Sequence, residues 1–166
     1  MRRRRSITES LIKGAIAGAV ATWAMGKVTT WFYDREYRRA RRAEDEARHG
    51  KTAYEIGAER LAGAVGRTLS EEQRGRLGSA LHWGLGIGAG AAYAALGQRR
   101  PAVRRAAGTA FGTGFWATVD EGMISLLGLT PPPTAFPWQT HARGLAGHLA
   151  FGAVADGTLR VLDAVT

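Results

Sequence analysis

Residues 78–97 form a largely apolar run of twenty residues, GSALHWGLGIGAGAAYAALG. It carries no formal charge apart from any proton on His82. With a rise of about 1.5 Å per residue, a helix of this length matches a hydrocarbon layer of about 30 Å. Its glycines recur every four residues, Gly84 with Gly88 and Gly86 with Gly90, a spacing that lets helices approach closely in lipid. The stretch therefore predicts a transmembrane helix that packs through glycine.

Three less apolar segments, residues 10–33, 102–128 and 142–162, continue the four-residue spacing of small residues. In water, each of these glycines would weaken a helix by about 1 kcal/mol relative to alanine. We therefore predict an all-α fold, an integral membrane four-helix antiparallel bundle that spans residues 1–166 as a single transmembrane domain. The expected helices cover about 7–33, 71–97, 102–128 and 141–163, and the glycines expected at helix contacts are Gly14, Gly18, Gly26, Gly86, Gly90, Gly108, Gly112, Gly144 and Gly152.

The connection between the first two helices, residues 34–70, is predicted to be helical and to lie outside the membrane. Three S/T-x-x-E/Q patterns, which begin at Ser6, Thr52 and Ser70, predict helix starts at capping boxes. The Pro-rich segment 128–138 cannot continue a helix and predicts a turn. An apolar stripe at helical spacing favours a connection that lies on the membrane surface or on the end of the bundle; it consists of Tyr54, Ala58, Leu61, Ala62 and Val65.

The net charge of +9 is concentrated in clusters that flank the apolar segments. This distribution, with Arg2–Arg5 and Arg99–Arg105 on one side, is typical of juxtamembrane anchoring and argues against nucleic acid as a partner. It predicts cytoplasmic N- and C-termini, although the connection carries many basic residues on the opposite side. Because the sequence contains no cysteine, thiolate chemistry and Cys metal sites are excluded.

A polar cluster is predicted at one end of the bundle. If four helices alternate in direction, the charged and imidazole side chains of the four segments fall at one depth. Charged groups at membrane depth are rare, face the bundle interior and pair with one another. Adjacent carboxylates are about 100° apart on a helix, however, so both cannot point squarely at the axis. The predicted members are Lys27, His82, Asp120, Glu121 and His148.

The last segment predicts a second polar layer. Gly144, His148, Gly152, Asp156 and Arg160 follow one another at a spacing of four and form one stripe on a helix. We expect Asp156 and Arg160 to form this layer together, at a different depth from His148. No metal site is predicted.

Several motifs also resemble a known family. The run LGLTPPPTAFPWQTHARGLAGHLAFG (127–152), DEG (120–122) and WFYDRE (31–36) are similar to the YagU-type family of bacterial inner-membrane proteins, whose function is unknown. The resemblance is strongest over about 105–163. It implies a multi-pass protein of the bacterial inner (plasma) membrane, and it transfers no catalytic residue.

The sequence leaves several functions open. A structural or accessory membrane component, held together by glycine contacts and polar layers, is the first hypothesis. A proton- or ion-linked transporter, channel or pH sensor is the second, because two imidazoles and two carboxylates share one level. Haem b bound by His82 and His148 is a third hypothesis. No enzyme is predicted, because G-x-S-x-G, H-E-x-x-H and phosphate-loop motifs are absent, and His141 is interpreted as an interfacial residue. The expected partners are the lipid bilayer and a homo-oligomer or membrane complex.

Overall fold

A computed structural model describes residues 6–165, without the side chains of Pro101 and Arg105; the predicted Arg2–Arg5 cluster lies outside this range. The described residues form helices and no strand. The regular helices are α1 (Ile7–Arg35), α2 (Arg38–Arg48), α3 (Ala53–Ala64), α4 (Glu71–Arg99), α5 (Thr109–Thr118), α6 (Ile124–Leu126) and α7 (Trp138–Val165). The all-α prediction is confirmed.

The predicted helix starts carry side-chain caps. Thr52 and Ser70 form complete capping boxes with Glu55 and Gln73, in which each side chain bonds the backbone of the other residue. Ser6 accepts a hydrogen bond from the Glu9 backbone N–H at 3.1 Å. The side chain of Glu9 turns instead to Lys13, whose Nζ lies 2.7 Å from Oε1.

Long helices alternate in direction and meet through glycines. Along α1 and α4, Gly14 lies opposite Gly90 and Gly18 lies opposite Gly86, so these two helices are antiparallel. Helices α5 and α7 meet in the same way, with Gly108 opposite Gly152. Helix α1 packs against both α4 and α7, and α5 packs against α7. The core between them consists of Ala17, Ala21, Tyr93, Ala94, Phe151, Ala155 and Leu159.

The third predicted helix, 102–128, is wrong as a single element. A 3-10 helix covers Pro101–Gly108, α5 follows, a π-helical turn covers Val119–Met123, and α6 ends the segment. The first break lies at Ala106, Ala107 and Gly108, whose φ values of 53°, 49° and 79° are left-handed and cannot continue a right-handed α-helix. The other three long helices start or end two or three residues beyond the predicted bounds.

The connection 34–70 contains two helices, and the second begins after Thr52, as its capping box predicted. Left-handed residues His49 and Gly50 separate α2 from α3. Helix α3 packs against α4, and Ala58 and Ala62 of the predicted stripe are buried there. Leu61 and Val65 are exposed, so the stripe does not act as one face.

The outer surface of α1 is apolar. Ile12, Ile16, Val20 and Trp23 are all exposed, with Ile12 and Trp23 each 58% exposed. Within the part of the chain that the structure describes, no helix is both long enough and apolar enough to cross a membrane. Gly26 faces open space, as do Gly84 and Gly88, so the prediction that Gly26 packs against another helix is wrong.

Candidate functional site

A polar cavity of about 560 Å³ lies at one end of the bundle. Because the helices alternate in direction, the end of α1, the start of α4, the π-helical turn and the start of α7 all meet at this end. Helix α2 and the start of α3 cover it. The charged and imidazole side chains that line the cavity are Glu44, Asp45, Arg48, Lys51, His82, Asp120, Glu121, His141 and Arg143.

The π-helical turn places both carboxylates of the acidic pair at the cavity. Asp120 and Glu121 lie within Val119–Met123, where a wider turn replaces the regular α-helix. Both residues line the cavity, although neighbours on a regular α-helix would diverge by about 100°. Single π-helical turns within α-helices are frequently found at functional sites.

Asp120 faces His148 across the cavity wall. Its Oδ2 lies 3.6 Å from the Nδ1 of His148, and it makes no direct hydrogen bond among residues 6–165. His148 is only 2% exposed, and its Nδ1 lies 2.9 Å from the carbonyl oxygen of Gly144. Because a carbonyl only accepts, Nδ1 carries the hydrogen and donates it. The His148 imidazole is thereby held in one tautomer beside the Asp120 carboxylate.

His82 completes this side of the cavity. Its ring packs edge-on against Tyr54 of α3, with the ring centroids 4.9 Å apart. It lies close enough to His148 for the two imidazoles to interact electrostatically. The structure thus brings His82, Asp120 and His148 together, as the sequence predicted. Protonation of either imidazole therefore changes the electrostatic potential at the other imidazole.

Glu121 pairs with a histidine that the sequence reading set aside. The Nδ1 of His141 lies 2.7 Å from Oε1 of Glu121, and its Nε2 lies 3.1 Å from the carbonyl oxygen of Pro133. Both partners are acceptors, so only the doubly protonated ring donates to both. The pairing of His141 with Glu121 was not predicted, whereas its interpretation as an interfacial residue stays a prediction. The sequence feature that could have indicated a contact for His141 is its position near the start of the last helix, about one turn before Gly144.

Lys27 does not join the cluster, so this part of the prediction is wrong. Its side chain is exposed on α1, with Nζ 5.8 Å from the centre of the Trp23 ring. The inward face of this part of α1 is formed by Thr22, Met25 and Thr29. Lys27 lies two residues from both Met25 and Thr29, about 200° around the helix, and therefore points away from the bundle.

The cations at this end come from Arg143 and Arg48. Arg143, which is 9% exposed, bonds Glu36 through Nη1 and Glu44 through Nη2, each at 2.5 Å. Glu44, 3% exposed, also pairs with Arg48 at 2.6 Å. These pairs join the start of α7 to α1 and α2. These pairs could not be predicted from the sequence pattern, because Glu36 and Glu44 lie among many charged residues that are typical of a solvated helix.

The second polar layer is a separate network at the opposite end of the bundle. Asp156 is 1% exposed and accepts hydrogen bonds from Tyr93 Oη at 2.8 Å, Arg104 Nε at 2.9 Å and Arg160 Nε at 2.6 Å. The sequence predicted Asp156 and Arg160 but not Tyr93 and Arg104. Nearby, Lys13 lies 3.7 Å from Asp163, which ties α1 to this layer.

An aromatic row separates the two polar regions. From the His148 ring, Phe115 is 5.2 Å away, Phe111 lies 6.1 Å beyond it and Tyr93 a further 4.9 Å, measured between ring centroids. Tyr93 then bonds Asp156. Phe115 and Phe111 therefore lie between His148 and the second layer.

The donor set does not form a metal centre. Among the described residues, no group of three or more His, Cys, Asp or Glu side chains is arranged to hold a metal ion. Haem b bound by His82 and His148 stays a prediction. The Nδ1 of His148 is already used by Gly144, so only its Nε2 could be an axial ligand.

Comparison with known proteins gives one match. A family model described as a protein of unknown function (DUF1440) matches residues 39–157, which extend from α2 through most of α7. The matched range contains the cavity residues His82, Asp120, Glu121 and His141, together with His148 beside Asp120. No curated protein and no solved structure matches the chain.

Proposed function

The chain belongs to the DUF1440 family, which is the YagU-type family resembled by its motifs, and we propose that it is a multi-pass membrane protein that carries out proton-linked transport of a small polar solute. In this proposal the polar cavity is the solute and proton site, and the bundle is the scaffold that holds it. The inner membrane of a bacterium is the proposed location. No enzymatic activity is proposed.

The distribution of side chains supports a membrane location. Ile12, Ile16, Val20 and Trp23 face outward on α1, whereas Lys13 on the same helix is buried. A water-soluble protein has the reverse arrangement, because its large apolar groups are buried and its charges face solvent. Lipid contacts the outer face of a helix only. The inward glycines and polar groups lower the mean hydropathy of each helix without meeting the bilayer.

One observation supports proton binding above all. Asp120 faces the cavity with no hydrogen bond among the described residues, and the Nδ1 of the His148 imidazole lies 3.6 Å from its Oδ2. A carboxylate next to an imidazole can exchange one proton between neutral and charged pairs near neutral pH. Intramembrane chains of Asp, Glu and His are the usual proton relays of pumps and transporters. The cavity provides this chemistry together with space for a solute.

The aromatic row favours a carrier over an open channel. His148 and Asp156 are eight residues apart on α7, about 12 Å along the helix axis. Phe115 and Phe111 fill the space between the two polar networks. A proton or solute that enters the cavity therefore reaches a closed wall. Passage requires a conformational change, as alternating access does.

The proposal is tested in proteoliposomes that contain a trapped pH-sensitive dye. Solutes from four classes (amines, carboxylates, amino acids and sugars) are added outside, and the internal pH is recorded. At least one class is expected to change the internal pH, and Asp120→Asn is expected to abolish this change. The matched control is Asp34→Asn, because Asp34 is an exposed carboxylate on α1 that does not line the cavity.

Two results would refute the proposal. The first is a chain that alkaline carbonate washes out of bacterial membranes, because an embedded bundle stays in the pellet. The second is a full panel that leaves the internal pH unchanged, or an Asp120→Asn variant that responds like the unmodified protein.

A structural or accessory role is the second candidate, and the glycine contacts favour it. Gly18 and Gly86 bring the α1 and α4 backbones together with no side chain between them. If this packing is the whole function, Gly18→Leu abolishes the cellular role and Asp120→Asn leaves it intact. The transport proposal expects both variants to fail.

A further inference from the structure

Two hydrogen-bond donors that line the cavity are buried and have no acceptor. Trp116 Nε1 and Arg48 Nε both lack a partner within the described part of the chain. A buried donor without an acceptor costs about 1–3 kcal/mol, so such groups rarely persist without a role. Both donors would be satisfied by a ligand that presents an anionic or carbonyl oxygen.

The carboxylate of Asp120, a hydrogen-bond acceptor, borders the same space as these donors. A methyl group placed on Gly144 would lie 3.0 Å from Trp116 Nε1 and 3.7 Å from Asp120 Oδ2. The donor and the carboxylate therefore meet at a small site that exists because residue 144 has no side chain. A ligand group in this site contacts an N–H on one side and a carboxylate on the other.

Most of the other charged side chains of the cavity have a partner of opposite charge. Arg143 pairs with Glu36 and Glu44, and Lys51 pairs with Glu59 at 2.8 Å. Glu121 pairs with His141. Among the groups left for a ligand are the Asp120 carboxylate and two N–H donors, one of which belongs to Arg48; the Asp45 carboxylate also lines the cavity but is exposed. A ligand that matches them carries one positive and one negative group close together.

We propose that the solute is a small zwitterion of the amino-acid type. Its ammonium group binds Asp120, and its carboxylate accepts hydrogen bonds from Trp116 Nε1 and Arg48 Nε. Tyr54 and Phe136 line the same cavity and provide an apolar surface for a side chain. The volume of about 560 Å³ falls within the range of about 300–1,000 Å³ that is typical of small-molecule sites. This inference rests on the proposed function, because it names the substrate class of that site.

Ligands with a single charge fit less well. An anion without an ammonium group would be repelled by Asp120, and a cation without a carboxylate would leave both donors unsatisfied. Charge-assisted hydrogen bonds contribute more than neutral ones, so loss of either end is expected to weaken binding strongly. The preference for both charges together is the property that an experiment can measure.

The test uses the full-length protein in lipid nanodiscs and isothermal titration calorimetry. The ligands are glycine, alanine and leucine, each compared with its N-acetyl form, which lacks the ammonium, and its amide form, which lacks the carboxylate. At least one amino acid is expected to bind at least tenfold more tightly than both of its derivatives.

Two substitutions test which residue binds the ammonium group of the ligand and which binds its carboxylate. Asp120→Asn is expected to weaken amino-acid binding at least tenfold and to strengthen binding of the N-acetyl form, because the repulsion of its carboxylate by Asp120 is removed. Trp116→Phe, which removes only the N–H, is expected to weaken binding of the amino acid and of its N-acetyl form about fivefold, with no effect on the amide. Asp34→Asn and Trp31→Phe are the matched controls, since both side chains are exposed on α1. Unchanged unfolding temperatures verify that each variant folds.

Three results overturn the inference: no binding by any amino acid, equal binding of all three forms, or tighter binding of a derivative. These results leave the proposed function standing if another solute class still drives a pH change that depends on Asp120. Loss of that pH response with intact amino-acid binding refutes transport and retains the ligand class.

Discussion

Replacement of Gly90 by alanine is expected to separate α1 from α4. A methyl group at this position would lie 2.5 Å from both the carbonyl oxygen of Gly14 and the backbone nitrogen of Gly18. Real Cβ atoms do not come so close to other atoms, and both neighbours are backbone, so no side chain can move aside. The two helices must shift apart, and the packing of the whole contact is disturbed.

The expected loss follows from the cost of overpacking. Extra methylenes in a well-packed core cost about 1–3 kcal/mol, and the rigid backbone on the α1 side places Gly90→Ala near the upper end. For a chain of this size, each kcal/mol lowers Tm by about 2–4 °C. We therefore expect Tm to fall by about 6–12 °C, measured by thermal unfolding in nanodiscs.

Gly88 provides the matched control on the same helix. No atom lies within 4 Å of a methyl group at this position. Gly88→Ala is expected to leave Tm unchanged or to raise it, because alanine favours a helix by up to about 1 kcal/mol over glycine. Equal Tm values for the two variants would refute the reasoning that the α1–α4 contact depends on glycine.

Two further predictions concern charged residues. Arg143→Met is expected to lower the free energy of unfolding by about 3–5 kcal/mol, since it leaves Glu36 without its cation and Glu44 with Arg48 alone, whereas Lys27→Ala at the surface changes it by less than about 0.5 kcal/mol; similar losses in denaturant titrations would contradict the burial argument. Hydrogen bonds from Thr52 hold the pKa of the Glu55 carboxyl below its usual range. This stabilisation is present above the pKa of the unfolded chain and is lost as pH falls through the lower folded pKa. Thr52→Ala should therefore cost about 0.5–2 kcal/mol at pH 7 and less at pH 3, and an equal or larger cost at pH 3 would argue against it.

The layout of the cavity was predictable because it follows from chain direction. Alternating helices bring the end of one segment beside the start of the next, so His82, Asp120 and His148 reach one depth whatever their detailed rotation. Rotation itself was harder to predict. Lys27 lies near the predicted position along the bundle axis but on the outer face of α1. Its position along the axis does not determine the direction of its side chain.

Contacts between distant segments could not be predicted in this way. Arg143 is separated from Glu44 by 99 residues, and α2 reaches it only because His49 and Gly50 turn the chain back over the bundle. Sequence periodicity describes one helix at a time and does not report how a connection folds back. The same limitation hid Tyr93 and Arg104, whose common partner Asp156 lies on another helix.

The acidic pair shows how local backbone geometry changes a functional reading. On a regular helix only one of Asp120 and Glu121 would face the interior, and the other would need a separate partner at the surface. The π-helical turn brings both to the cavity, where each finds an imidazole, His148 for Asp120 and His141 for Glu121. Two acid–imidazole pairs therefore lie at one site.

The two pairs differ in how firmly they are bound, and this difference assigns their roles. Glu121 and His141 are 2.7 Å apart, and both nitrogens of the ring have partners, so this pair fixes the start of α7 against the π-helical turn. Asp120 and His148 are 3.6 Å apart, without a direct hydrogen bond between them, beside the space left by Gly144. A group that must release and rebind a proton or a ligand cannot be held by strong fixed bonds. In the proposed transport, Asp120 is the carboxylate that binds the proton or the ligand, and the Glu121–His141 pair holds the π-helical turn that carries it.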